Sequence, residues 1–221
     1  MTPKIKKIIF SLLAIISAIL LYFYQQIKTY QSIEGKFLVT QVLDGDSFVI
    51  PPDQTIRLID TNAPELDLCY GNQSKQRLEE LILNKHVIIK NFNKDKFKRI
   101  IGLVYIDENQ PSVNQIMLKE GMARYDSSGG QQGKILLASS KIAQENKAGI
   151  WSQTCNQTDN IKNPKCDIKG NIGRNNNIKT YHLPNCPEYD RTTVELDIGE
   201  QWFCTEKEAI EAGYVKAKNC P

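Results

Sequence analysis

Between Phe37 and Ala148 the apolar pattern switches from strand to helix, back to strand and again to helix, and that order constrains the fold most. Phe37–Val42, Ser47–Ile50 and Thr55–Ile59 read as strands, with Pro51-Pro52-Asp53-Gln54 as a turn before the third. Leu78, Leu81 and Ile82 fall at helical spacing within Gln73–Asn84. Val87–Phe92 and Ile100–Ile106 return to the strand pattern. Val113–Glu120, closed by Gly121, and Lys134–Ala148, closed by Gly149, read as two more helices. The fold class is therefore α+β, and five short strands with three helices suit a small Greek-key barrel. Periodicity alone leaves other α+β folds open.

Ahead of this region, Ile8–Tyr24 carries no charge and follows Lys4, Lys6 and Lys7. A helix over it would span roughly 25 Å, close to the ~30 Å of a hydrocarbon core. Snorkelling lysines and the Tyr22–Tyr24 aromatic edge make up the difference. Residues 1–30 are thus expected to be a signal-anchor, a transmembrane helix in the lipid bilayer. The positive flank stays inside, so the remainder is expected to be extracytoplasmic at the cell membrane. A cleaved signal peptide is the alternative and would make the protein secreted, but no small-x-small cleavage site precedes Gln25-Gln26.

The formal charge of +3 invites a polyanion partner, yet residues 1–30 hold four lysines and no acid. Without them, 24 basic side chains stand against 25 acidic ones, so any anion site must be local. Six cysteines, an even number, agree with export and disulfides. The expected organisation is a main domain over 31–155, a polar linker over 156–165 and a small Cys-rich α+β domain over 166–221. The last has too few apolar runs to be comfortable without staples.

Three short stretches concentrate chemistry. In Leu43-Asp44-Gly45-Asp46-Ser47, Asp-Gly is a hairpin signal, but a second acid beside the first is not explained by a turn. Paired acids on a loop suit a hard cation. In Ile56-Arg57-Leu58-Ile59-Asp60-Thr61-Asn62-Ala63-Pro64-Glu65, an arginine sits inside an apolar strand and a Pro-fixed loop presents Glu65. Lys94-Asp95-Lys96-Phe97-Lys98-Arg99 crowds four cations into one turn, as either a solvated charge run or an anion site.

Taken with Tyr70-Gly71, Val113–Ala123 and Ala148-Gly149-Ile150-Trp151, these stretches resemble the thermonuclease family, the calcium-dependent staphylococcal-nuclease-like enzymes with an OB-type barrel. The resemblance runs from about Gly35 to Trp151. It implies an endonuclease acting on DNA and RNA, preferring single-stranded or frayed substrate and leaving 3′-phosphates. Asp46, Asn62 and the Ala63 carbonyl would hold Ca2+, with Asp44 acting through water. Arg57 and Arg99 would grip the phosphate, Glu65 would be the general base, and Phe97 and Lys96 would contact substrate. No obligate protein partner is implied.

The departures from the family pattern are informative. Asn62 stands where an aspartate is usual, which weakens the expected calcium site. Asp60 is expected on the opposite strand face and unable to substitute. Phe97 and Lys98 replace a Tyr-Gly pair. The alternative is a membrane-tethered, non-catalytic OB-type nucleic-acid-binding module, against which the joint presence of Arg57, Glu65 and Arg99 argues.

The tail, from Lys169 through His182, Cys186, Trp202 and Cys204 to Cys220, resembles the small metal-binding domain of the Ada DNA-repair family. Relatives often end in Cys-x-x-Cys, here Ala217-Lys218-Asn219-Cys220, so one thiolate is missing while Cys166 and Cys204 are extra. His182 and Cys186 keep zinc-ligand spacing but stand alone, and export favours disulfides. The resemblance favours Cys186–Cys220, leaving Cys166–Cys204. Cys69 with Cys155 completes the expected set. His86, at a strand start, is expected to be an ordinary surface residue.

Overall fold

The computed structural model describes residues 10, 13–22, 35–95, 97, 99–127 and 132–221. Residues 13–22 are helical, and the rest of the expected 8–24 span lies mostly outside the described residues. Among the described residues no helix is long and apolar enough to cross a membrane.

The main sheet has six strands in the order β1 (Lys36–Leu38), β6 (His86–Lys94), β7 (Ile100–Tyr105), β4 (Gln54–Leu58), β3 (Ser47–Ile50) and β2 (Gln41–Val42). The expected first strand is therefore two. Val39 N donates to Lys85 O at 2.9 Å and Thr40 N to Val49 O at 3.0 Å, so the chain changes partners within two residues. β1 and β2 are the two edges of the sheet and are consecutive in the chain. No ladder joins these edges among the described residues, and the sheet has six strands where a five-stranded OB-type barrel was expected.

Alternation sets the core. Phe48 and Ile50 on β3 and Ile56 and Leu58 on β4 are buried, while Arg57 faces the other way. α1 (Gly71–Ile82) buries Gly71, Ser74, Leu78 and Ile82 along one face. α2 (Val113–Lys119) is capped by Ser112, whose side chain accepts from Gln115 N at 3.1 Å. α3 (Gly133–Glu145) packs on α2 and on β8 (Arg124–Tyr125). The buried Asn114 of α2 accepts from Val104 N at 3.0 Å and donates to Ile59 O at 2.8 Å, fixing the chain where β4 ends. Gly121 (φ 69°) and Gly149 (φ 55°) close α2 and the turn after α3; a Cβ on Gly121 would strike Ala148 O, and one on Gly149 would strike Gly121 O. β8 pairs with β5 (Thr61–Asn62), setting Arg124 opposite Asn62. Neither two-residue strand carries a periodic signal.

The tail forms a four-stranded sheet of β10 (Ile168–Ile172), β11 (Lys179–His182), β13 (Gln201–Phe203) and β14 (Val215–Lys216), with helix α4 (Glu206–Glu211). Its core is Ile168, Tyr181, Phe203, Ala209 and Tyr214. The disulfides are Cys69–Cys155, Cys166–Cys204 and Cys186–Cys220. His86 is exposed.

The tail is clamped to the main domain. Within the expected linker, β9 (Asn156–Gln157) pairs with β12 (Val194–Glu195). Leu196 N donates to Cys155 O at 2.8 Å and Trp202 Nε1 to Gln157 Oε1 at 2.7 Å. Arg124 forks onto Asp197, with Nη2 to Oδ1 at 2.7 Å, reaches Glu195 at 3.2 Å and stacks on Trp151 at 4.4 Å. The Arg124 and Asp197 side chains are 7% and 1% exposed. Glu200, buried beside them, accepts from Asn171 Nδ2, Ile172 N and Glu195 N, each at 2.8 Å. Burial pushes its carboxyl up to about 7.

Arg124→Ala would leave the buried Asp197 without its counter-charge. The full chain should lose about 3–5 kcal/mol in urea unfolding, the range for breaking a buried pair. A loss below ~1 kcal/mol would show that the clamp is dispensable.

Candidate active site

The site begins at the turn that joins β2 to β3. Leu43 N donates to Ser47 O at 2.9 Å, and Asp44 Oδ1 accepts from Asp46 N at 3.0 Å. A Cβ on Gly45 would lie 2.6 Å from both the Ala63 and Ser74 side chains, so only glycine lets this turn press against the 61–65 loop and α1. That approach delivers Asp46 inward. Its Oδ2 accepts from Ala63 N at 2.9 Å, and its Oδ1 accepts from Ser47 Oγ at 2.8 Å and from Arg57 Nη1.

Arg57 stands opposite Ser47 in the β3–β4 register. Its second nitrogen, Nη2, donates to Asn62 Oδ1 at 2.7 Å. The guanidinium thus bridges a carboxylate and an amide oxygen. Asp46 is 2% exposed. Burial pushes its carboxyl up to about 6; the Arg57 charge opposes this and Asp44 adds to it.

Arg99 enters from the parallel neighbour, leading into β7, whose Ile101 pairs with Arg57. Asp95 holds it, accepting from Arg99 Nε at 2.7 Å and from the amides of Arg99 and Phe97 at 2.9 Å each. Burial works against ionisation of Asp95, yet these bonds keep its carboxyl below the usual range. Arg57 and Arg99 line one cavity of ≈ 180 Å³ together with Asp60, Asp95 and Asp126.

Asp60 corrects an expectation. The strand ends at Leu58, and Asp60 sits in a turn with φ 54°, so strand alternation no longer governs it. It is 4% exposed and faces the same cavity as both arginines.

The structure thus gathers Asp46, Arg57, Asn62 and Ala63 into one hydrogen-bonded cluster and sets Arg99 beside it. Glu65 is outside the cavity lining, exposed after the buried Pro64. Its backbone is tightly held: Leu68 N donates to Glu65 O at 2.9 Å, and a Cβ on Gly71 would collide with that oxygen. Phe97 is exposed, with the Arg99 guanidinium 5.3 Å from its ring centre. Lys96 lies outside the described residues. Ser47, Asp95 and Asp126 belong to the site without having been expected there. Asp95 and Arg99 close the turn between β6 and β7, with Asp95 N donating to Arg99 O at 3.0 Å, and an acid facing an arginine across one hairpin turn is the signal that would have found Asp95.

No group of three or more His, Cys, Asp or Glu side chains is placed to hold a metal among the described residues. The oxygens of Asp46, Asn62, Asp44 and the Ala63 carbonyl are nevertheless hard donors of the kind calcium takes. Asp46 Oδ1 and Asn62 Oδ1 are bound here by the Arg57 guanidinium, so it is the oxygen character of the donor set that fits a cation.

Residues 55–153 match the staphylococcal nuclease homologue family. The chain is 33% identical over 125 residues to a protein of Shigella flexneri named micrococcal nuclease, covering 52% of this chain and 72% of that one. It is 31% identical over 121 residues to an uncharacterized endonuclease of Escherichia coli, covering 52% and 75%. A Haemophilus influenzae protein, also named an uncharacterized endonuclease, is 28% identical over 118 residues, covering 52% and 65%. The family match ends before the tail begins.

Arg57→Ala would strip the buried Asp46 of a charged donor, costing about 1–3 kcal/mol in urea unfolding without added metal. Glu65→Ala should change stability by no more than about 0.5 kcal/mol, because that side chain is exposed. Equal losses in the two variants would contradict the bonding described for Asp46.

Proposed function

The chain belongs to the staphylococcal nuclease homologue family, and on that premise we propose that it is a calcium-dependent endonuclease acting on DNA and RNA. The observation that carries this reading is the pairing of Arg57 and Arg99 across one cavity, beside the oxygen cluster of Asp46 and Asn62. Phosphodiester hydrolysis builds negative charge on the phosphoryl oxygens, and guanidiniums match two of these at once. Arg57, braced by Asp46, and Arg99, braced by Asp95, supply them already oriented.

Glu65 stands outside the lining of that cavity, exposed on the loop that follows Asn62 and Ala63, and in this proposal it reaches in to take a proton from the attacking water. Water oxygen bonds to phosphorus, the bond to the 5′ oxygen breaks, and that oxygen takes a proton from solvent while Glu65 gives its own back to bulk water. The products are a 3′-phosphate and a 5′-hydroxyl. Asp46, Asn62 and the Ala63 carbonyl would hold calcium, with Asp44 behind them, and the ion when bound would supply further positive charge at the phosphate.

The uncharged 8–24 run behind three lysines supports an extracytoplasmic enzyme tethered at the membrane, and the three disulfides agree with an oxidising compartment. The tail enters as a disulfide-stapled accessory unit, and its expected resemblance to an Ada-type domain, which no comparison supports, carries no part of this reading.

Plasmid and RNA degradation should require calcium and stop with chelator. Arg99→Ala and Glu65→Ala should each lower kcat by about 10²–10⁴. Undiminished turnover in either variant removes that residue from the mechanism, and activity in chelator removes the metal. Binding without cleavage would instead favour the non-catalytic alternative.

Asn62→Asp restores a formal negative charge among the oxygen donors. The calcium concentration for half-maximal rate should fall. An unchanged or higher requirement would take Asn62 out of the ligand set.

A further inference from the structure

A second cleft, ≈ 550 Å³, opens beside the catalytic cavity, with one wall from the main domain and the other from the tail. Asn62, Tyr125 and Asp126 form the first wall, and Arg174, Asn175 and Asn177 the second. Asp126 lines both spaces, and Asn62 is the amide bonded to Arg57. A strand whose phosphate lies between Arg57 and Arg99 therefore has this cleft as its continuation.

The tail wall is built to be firm. Glu195, 12% exposed, binds both the buried Arg124 and Arg174, so it mounts the Arg174 guanidinium over the cleft. Arg174 itself is 57% exposed and keeps donors to spare. The 173–178 loop is tied by Asn177 N to Gly173 O at 2.8 Å and Gly173 N to Ile178 O at 2.9 Å. Asn176 caps it, accepting from Ile178 N at 3.1 Å. The Asn175 and Asn177 side chains are exposed to solvent, with their amides free of hydrogen bonds among the described residues.

A fixed guanidinium, two outward amides and a phenol ring are the groups that take phosphate, base edges and base faces. The negative charge of Asp126 at the junction disfavours a phosphate there and leaves Arg174 as the phosphate position. We propose that this cleft seats the nucleotides next to the scissile phosphate on a single strand, with Arg174, Asn175 and Asn177 as substrate-positioning residues. The proposal deepens the nuclease reading and rests on it for the position of the scissile phosphate. The tail is then half of the substrate groove rather than an appendage.

The test uses the full chain and R174A/N175A/N177A. Affinity for a fluorescein-labelled ten-nucleotide oligothymidylate is measured in EDTA across a salt series. With calcium, kcat/KM is measured on the same oligonucleotide and on a dinucleotide. The variant should bind about tenfold more weakly, with a salt slope smaller by about 1, and the decamer-to-dinucleotide ratio of kcat/KM should fall about tenfold. R174A alone should already lower the salt slope, which keeps the test decisive if the triple variant folds poorly. Affinity within twofold of wild type, or equal losses on both substrate lengths, overturns the proposal. Wild-type chain that binds but cleaves neither substrate defeats the nuclease reading, while the binding comparison still decides the cleft. Wild-type chain that binds no oligonucleotide overturns the cleft itself.

Discussion

The bonded pair of Asp46 and Arg57 is the constraint around which the main domain is arranged. A carboxylate 2% exposed is costly unless its lone pairs are used, and here all its partners come from different segments. Ser47 is its neighbour, Arg57 is on the adjacent strand, and Ala63 N is on the loop beyond. Satisfying Asp46 therefore fixes the strand pairing and the loop path together. Gly45 permits the approach, and Asn114 anchors the chain at Ile59 just before the loop departs. Stability and site geometry are the same set of bonds in this region.

The second organising contact is Arg124. It stands opposite Asn62 in the short β5–β8 ladder, and its guanidinium is bound by Asp197 and Glu195 of the tail. The tail thus holds the strand that pairs with Thr61–Asn62 at the start of the loop leading to Glu65. Cys69–Cys155 ties the segment after Glu65 to the start of β9, so the loop is braced from both sides. A small domain with a modest core of its own gains a surface to pack on.

Much of this was legible in the residues. Phe48 and Ile50 against Ile56 and Leu58 announced a two-residue period, and an arginine within that pattern had to find an acid. Asp-Gly-Asp and the Pro-fixed loop marked the site through their chemistry. What could not be read depends on contacts distant in sequence. At the partner change, Val39 N goes to Lys85 O and Thr40 N to Val49 O, two acceptors far from it in sequence. Thr61–Asn62 and Arg124–Tyr125 are too short to show a period. The left-handed Asp60 escapes the alternation that should have turned it away. Asp95 was hidden among cations, where it reads as a break in a charged run rather than as the support for Arg99. The Arg124–Asp197 fork spans 73 residues, and neither side chain signals the other locally.

In the proposed mechanism water attacks a phosphodiester at Arg57 and Arg99 and expels the 5′ oxygen. Digestion of a defined oligonucleotide by the full chain with calcium in ¹⁸O-water, followed by mass spectrometry of the fragments, tests it directly. The account predicts one ¹⁸O atom in each newly formed 3′-phosphate and none in the 5′-hydroxyl ends. Label in 5′-phosphates, or intact oligonucleotide throughout, would contradict it.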